Sequence, residues 1–521
     1  MKTNFILFLI SLIFLPTYFW GQNQFQRAVV AHGSFPEGLI QTSDESYIII
    51  GTYNDSPEAD ILVSKLDKVG NLVWSNSIGK SGQQQGFSIT EVSDGGYIGI
   101  AGSYGSHYQS FFKLSKDGNF IWEKVIYSFG TKVIHLIDLI KTNDEGYVLV
   151  GSRSDTISPS SNSKLFIAKL NSDFTFQWQK YIGYETGETF GASVIQTTDG
   201  GYAVAGPTDS YGTGGRDIFV IKLDLTGNIV WSKTIGGTDD DVASDMKQTN
   251  DGGFIIVGES FSYGAGNCDI YAVKIDEAGN LQWTRTIGGK DKDYGSSVIQ
   301  TLDGGIVIAG GIDDNELYPM YLVKLSITGD LVWTKVSNIE DGIYGLITNC
   351  LDGGYAVSCC TGLNEMMLIK FDLLENTCST FDSGGEITSG GIMHNVEWLS
   401  ENGNSVIIPG SGFISTHNGS LKNICDVNGF DSQGHQNSAL SVEPNPCVEK
   451  FRVNIHLLST SSNNTLSLTD LHGTKTFEKY IGNLSNGYYT FEIDSYMFPS
   501  GIYVLSLLSD DLYAKVKLVK E

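Results

Sequence analysis

Positive charge is scarce in this chain. Its 33 Lys and Arg face 59 Asp and Glu, a net charge of −26. That balance excludes nucleic acid and anionic membrane surfaces as partners, because both require basic patches. Histidine is sparse as well, at eight residues, and His32, His107 and His135 fall at unrelated places in the pattern described below. A ring of metal-binding imidazoles is excluded with them. No nucleophile elbow, His-Glu-x-x-His zinc motif or phosphate loop occurs. The seven cysteines show no metal-ligand spacing, and the adjacent Cys359 and Cys360 do not suit one tetrahedral zinc. Cys378 and Cys425 bracket an aperiodic stretch, where an exported chain can form a disulfide; free thiols are the other reading.

What the chain has instead is a repeat. An Asp-Gly-Gly-aromatic turn stands intact at Asp94, Asp199, Asp251 and Asp352, with degenerate copies at Asp44, Asp144 and Asp303. The seven copies lie 49 to 55 residues apart. A Trp follows about 30 residues later, at Trp74, Trp122, Trp178, Trp231, Trp283 and Trp333. Each unit contains four short runs rich in Val, Ile, Tyr and Trp; in the fourth these are 192–197, 202–205, 217–223 and 229–235. Asp-Gly between the first two runs and Gly227-Asn228 between the last two suit tight hairpins, since Gly accepts positive φ. Four antiparallel strands per unit, repeated seven times, predict an all-β chain built on a seven-bladed β-propeller, with the Trp packed between blades.

The seventh Trp is missing. Phe25 lies 19 residues before Asp44, as Trp74 lies 20 before Asp94. Residues 25–31 are therefore expected to supply the last strand of blade seven, closing the ring with the two ends of the domain.

Around the ring, residues 1–21 read as a secretory signal peptide: Lys2, an apolar run over 5–14, and Gly21 at the cut. An uncleaved anchor is the alternative, disfavoured by the short run and by Pro16. Residues 22–375 hold the propeller. Residues 376–440, rich in Gly, Ser and Asn, read as a linker or small accessory lobe. Residues 441–521 alternate apolar and polar positions and read as a small β-sandwich. This end carries Pro444-Asn445-Pro446, Leu468-x-Asp470-x-x-Gly473, Pro499-Ser500-Gly501-Ile502-Tyr503-Val504, and Lys515, Lys517 and Lys520 in the last strand. With these landmarks it resembles the C-terminal sorting domain of proteins exported by the type IX secretion system of Bacteroidota. The resemblance implies the type IX machinery as a partner and a secreted or cell-surface location. Cys447 departs from the family pattern, which has an aromatic or small residue there. The hairpin Lys-Leu-Asp-x-x-Gly-Asn-x-x-Trp is similar to the repeat of pyrroloquinoline-quinone dehydrogenases. The match is confined to that hairpin and implies shared architecture only.

No catalytic residues emerge. The recurring Asp199, Asp251 and Asp303 invite a calcium reading, but calcium requires six to eight converging oxygens. Asp in a tight hairpin commonly bonds its own backbone, and the turn reading is preferred, with no cofactor expected. If the tight turns share one face, the other face carries the longer connections 53–60, 103–110, 152–164, 208–216, 259–268 and 313–320 and the links between blades. Candidate binding residues there are Tyr104, Tyr108, Tyr211, Tyr263 and Tyr318, with Asp239, Asp241 and Asp293. Tyr beside short polar residues suits glycan or protein surfaces. The expected function is non-enzymatic binding of an extracellular glycan or protein. The alternatives are a polysaccharide lyase or hydrolase acting in the central mouth, and a structural surface component.

Overall fold

The computed structural model describes residues 25–30, 34–53, 60–79, 84–102, 109–127, 133–154, 162–184, 186–290, 292–312, 319–337, 345–360 and 365–372. It also describes short strands between 381 and 425, and residues 438–443, 450–457, 461–470, 475–508 and 513–520. The signal-peptide stretch lies outside these residues.

Seven antiparallel sheets form the ring. Blade 4 shows the plan: Ser193–Gln196 is innermost, followed outward by Tyr202–Thr208, Asp217–Leu223 and Ile229–Gly236. The second and third strands of this blade are buried along their whole length, because neighbouring blades cover both faces. They therefore read as continuous apolar runs rather than as alternating ones.

The repeated Trp joins blade to blade. Trp74, Trp178, Trp231 and Trp283 lie against Gly118, Gly227, Gly279 and Gly329 of the following blade, where an added Cβ would come within 2.7–3.0 Å of the indole. Blade 3 has Phe174 at this place, with φ of 69°, and its ring meets Trp122 edge-on at 4.9 Å. A second joint repeats on the tight-turn face. The N–H groups of Asn143, Thr198 and Asn250 donate to Gln196, Gln248 and Gln300 of the next blade at 2.8–2.9 Å.

Closure follows the expected route. Phe25–Val30 pairs antiparallel with Met366–Phe371, and Phe25 sits opposite Lys370. In blades 1 to 6 it is the Trp that faces this Lys, as Trp231 faces Lys222 and Trp283 faces Lys274. Phe25 thus occupies the missing Trp register. Leu351 N–H donates to Gln41 Oε1 at 2.7 Å across the seam between blades 7 and 1.

Between the ring and the sandwich, the stretch composed like a linker or lobe lies as a belt. Seven short segments each add an antiparallel fifth strand to the outer edge of one blade. They visit the blades in reverse: Phe381–Asp382 on blade 6, Glu386–Thr388 on 5, Ile392–Asn395 on 4, Ser400–Asn402 on 3, Val406–Gly410 on 2 and Phe413–Thr416 on 1. Ser420–Cys425 ends the circuit on Phe25–Val30 in blade 7. Cys378 lies outside the described residues.

The C-terminal sandwich packs a three-stranded sheet, Ser438–Glu443, Lys450–Leu457 and Gly487–Asp494, against a four-stranded one ending in Tyr513–Lys520. Its core includes Phe451, Val453, Leu466, Leu468, Tyr503, Leu505 and Leu518.

Two tight turns deviate from the repeat in a measurable way. Glu45 and Glu145 hold φ of 65° and 62° where the other five turns place Gly. An L-residue in this region costs about 1–2 kcal/mol, part of which glycine returns through its freer unfolded chain. Glu45→Gly is expected to raise stability by roughly 1 kcal/mol, read as a higher midpoint in urea with unchanged slope. A lowered midpoint would contradict the strain argument.

Candidate functional site

The tight-turn face is built for structure. In all seven blades a Lys from the third strand reaches the turn Asp: Lys65 to Asp44, Lys113 to Asp94, Lys169 to Asp144, Lys222 to Asp199, Lys274 to Asp251, Lys324 to Asp303 and Lys370 to Asp352. Six of these contacts measure 2.7–3.0 Å. Each of these Asp also accepts the N–H two residues on, as Asp199 does from Gly201 at 3.0 Å. Partial burial resists ionisation of Asp199, but the bonds from Lys222, Thr197 and Gly201 outweigh it and hold the carboxyl at about 2. The cation at these turns is therefore a lysine ammonium, in the place where the calcium alternative would have put a metal. The Lys of the Lys-Leu-Asp string was visible in the sequence, and its periodicity with the turn Asp was the signal.

The opposite face carries those candidate binding residues that lie among the described ones. Tyr104, Tyr108 and Tyr318 lie outside the described residues. Tyr211 is exposed and stacks on Tyr184, with centroids 6.3 Å apart. Tyr263 donates its hydroxyl to the Gly236 carbonyl at 3.1 Å and tilts against Tyr271, so it fixes the loop. Asp241 and Asp293 are buried at the first positions of their inner strands. Their carboxylates accept Gly237 N–H at 2.7 Å and Gly289 N–H at 2.8 Å, which pins the turns between blades. Burial pushes the Asp241 carboxyl up.

Asp239 is different, being exposed on the rim of a cleft of about 410 Å³ between blades 4 and 5. Gly215, Thr238, Asp240, Phe261 and Asn267 complete its lining. The Asp240 carbonyl accepts Phe261 N–H at 2.8 Å and its carboxylate accepts Arg216 N–H at 2.8 Å, so the floor is rigid. Phe261 presents 43 % of its surface to solvent. Phe261 and Asn267 were not among the sequence candidates; an apolar ring in an otherwise polar loop was the available sign.

The axis of the ring encloses a second space of about 570 Å³, lined by all seven inner strands. Two carboxylates on its wall act as staples between blades. Asp138 in blade 3 accepts Ser88 Oγ of blade 2 at 3.0 Å and Val194 N–H of blade 4 at 3.0 Å. Asp245 in blade 5 accepts Ser193 Oγ of blade 4 at 3.1 Å, and Ser297 Oγ and Val298 N–H of blade 6 at 2.9 and 3.0 Å. Lys247 adds an ion pair to Asp245 at 2.6 Å. Burial pushes the Asp138 carboxyl up against its bonds from Val194, Leu139 and Ser88. Among the described residues, no group of three or more His, Cys, Asp or Glu is arranged to hold a metal ion.

The fold and its faces define a class: a seven-bladed propeller with a loop face and a hollow axis, followed by a β-sandwich. The sandwich specifies the rest. Residues 441–521 match the family described as the secretion system C-terminal sorting domain. The chain is a type IX secretion cargo, and its place is extracellular or on the cell surface. No helix among the described residues is long and apolar enough to cross a membrane. Of the family's landmarks, Gly501, Tyr503, Lys515, Lys517 and Lys520 lie on the last two strands, and the Tyr503 hydroxyl donates to the Pro499 carbonyl at 2.7 Å. Pro444, Asn445, Pro446 and Gly473 lie outside the described residues.

Similar proteins were found for most of the chain and for parts of it. Regulatory protein FlaEY of Caulobacter vibrioides is 26% identical over 159 residues, covering 27% of this chain and 16% of its own length. PorZ, a surface component of the type IX secretion system of Porphyromonas gingivalis, superposes over 92% of this chain and 58% of its own, with 11% identity and a TM-score of 0.39. The polysaccharide lyase Uly1 covers 66% of this chain and 91% of its own, with 8% identity and a TM-score of 0.39. The chain thus spans under two thirds of FlaEY and of PorZ.

Proposed function

We propose that this exported propeller is a non-enzymatic binding module for an extracellular glycan, engaged at the cleft between blades 4 and 5. The observation that carries the reading is the exposed Phe261 ring beside Asp239 and Asn267. A sugar ring lays its C–H face on an aromatic, and its adjacent hydroxyls suit a carboxylate and an amide at the edge. The rigid floor limits the ordering cost of binding. The lyase or hydrolase alternative needs two carboxylates free to work on one bond, about 5–10 Å apart. Of the three acids that line the axis, Asp138 and Asp245 are occupied by donors from neighbouring blades, which leaves Glu37 without a second free carboxylate beside it.

The test is a glycan array probed with the full chain and with Phe261→Ala and Asp239→Asn. The expected result is a reproducible glycan hit that weakens at least tenfold in each variant, while the melting temperature moves by no more than about 1 °C, as for ordinary surface substitutions. Tyr263→Phe, which alters only the loop bond to Gly236, should leave the hit in place. Hits that survive both cleft substitutions, or glycans that are cleaved during incubation, would overturn the reading.

A further inference from the structure

The central space has a polarity pattern that its structural role does not require. In blades 1, 2, 3, 5 and 6 the inner strand carries a β-bulge at the same level. The register breaks between Pro36 and Gly38, Gly86 and Ser88, Leu136 and Asp138, Ala243 and Asp245, and Gly295 and Ser297. A bulge leaves one residue out of the ladder and re-aims it. The five residues so placed are Glu37, Phe87, Ile137, Ser244 and Ser296, and all five line the axial cavity. They divide it into an apolar arc on blades 2 and 3, a hydroxyl arc on blades 5 and 6, and one acid on blade 1. Neither ring closure nor blade packing needs a carboxylate at this level, since Phe, Ile and Ser serve at the same position elsewhere.

Glu37 also differs from the other charges of the cavity wall. Lys247 is paired with Asp245 at 2.6 Å and Lys141 with Glu145 at 2.8 Å. Asp138 and Asp245 are held by donors from adjacent blades. Among the described residues no basic side chain forms a salt bridge with Glu37, and its side chain is open to the cavity. A volume of about 570 Å³ lies in the range of small-molecule sites.

We propose that the axial cavity is a second binding site, for a small organic amine with an apolar body. Its ammonium pairs with Glu37, its body lies on Phe87 and Ile137, and any polar tail meets the hydroxyls of Ser244 and Ser296. Glu37 keeps contact with the water of the cavity, but protein on most sides thins its hydration and raises its carboxyl to about 7. An ammonium favours the carboxylate, so affinity should rise as the pH passes through 7 upward and fall below it. The other charges facing the cavity are Asp138, Asp245, Lys141 and Lys247, and the two lysines carry their own partners.

The experiment is isothermal titration of the full chain with 2-phenylethylamine and with its neutral counterpart 2-phenylethanol, at pH 8 and pH 5.5. The amine is expected to bind at least tenfold more tightly than the alcohol at pH 8, and to lose about tenfold on moving to pH 5.5. Titrations at pH 7 in two buffers of different ionisation enthalpy should show proton release on amine binding. Glu37→Gln should remove the preference for the amine and its pH dependence while the melting temperature stays near that of the parent; if it does not fold, Phe87→Ala supplies the second variant, with both ligands weakened. Equal affinity for amine and alcohol, amine binding untouched by Glu37→Gln, or no heat from either ligand at millimolar concentration would overturn the proposal. The glycan cleft on the outer face is unaffected by any of these results.

Discussion

Removal of residues 22–31 should lower the melting temperature of the propeller by roughly 10 °C or more. Phe25–Val30 is paired on both sides, with Met366–Phe371 inward and Ser420–Cys425 outward. Its loss breaks two ladders at once, and each net hydrogen bond is worth about 1 kcal/mol. It also opens one edge of a strand whose side chains Met366, Met367, Leu368, Ile369 and Phe371 are fully buried. An exposed, apolar edge strand is a template for pairing with another chain. The truncated protein should therefore both melt earlier and form soluble oligomers in light scattering. A melting curve that matches the parent, with a monomeric profile, would show that the ring closes without its first strand.

The reason this strand could be located in advance, while the belt could not, lies in how each is encoded. Phe25 stands at a fixed distance from the next turn, so the repeat itself points to the blade it completes. The strands of the ring carry long apolar runs because two neighbouring blades bury them. The belt has no such signature. Its segments, from Phe381–Asp382 to Ser420–Cys425, are two to six residues long and are held by backbone pairing to an outer edge. Main-chain pairing of this kind asks little of side chains, so a Gly-, Ser- and Asn-rich stretch serves it and reads as a linker. The candidate site divides the same way. The loop face followed from the turn pattern, and Asp239 lies exposed on it. Asp241 and Asp293 are drawn by the same acidic pattern, but they are caps on turns between blades. The bulges that aim Glu37, Phe87 and Ile137 at the axis depend on register between strands, which no local string of residues displays.

The seven Lys–Asp contacts of the tight-turn face offer the sharpest energetic test of the repeat. Lys274 is fully buried, and its ammonium bonds Asp251 at 3.0 and 3.1 Å and the Ile275 carbonyl at 3.2 Å. Asp251→Ala removes the counter-ion and leaves a buried cation, a change that costs about 3–5 kcal/mol, or on the order of 3 given that Asp251 is itself half exposed. The melting temperature should fall by roughly 6–12 °C. Lys274→Met in the same background removes the stranded charge and keeps most of the stem's packing, so it should recover the larger part of that loss. A full-size effect without recovery would mean that the Asp acts through the turn, by its bond to Gly253 N–H at 3.1 Å, and not through the ion pair. The acid limb reports on the same pairs. Asp199 and Asp144 are held at about 2, with burial opposing and the Lys, Thr and backbone bonds prevailing. Their folded pKa values lie below the ordinary carboxylate value of about 3.9, so the stability they contribute is complete above about pH 4. It drains as the pH falls through 2. Asp138, Asp241 and Asp269 are raised by burial and act in the opposite sense at higher pH, which leaves the window between pH 4 and 2 to the depressed carboxylates, the Lys-paired turn Asp together with Asp173, Asp224 and Asp276 of the outer hairpins. Stability in urea should decline steeply across that window, and Asp251→Ala combined with Lys274→Met should flatten the decline, because one of the depressed carboxylates is gone.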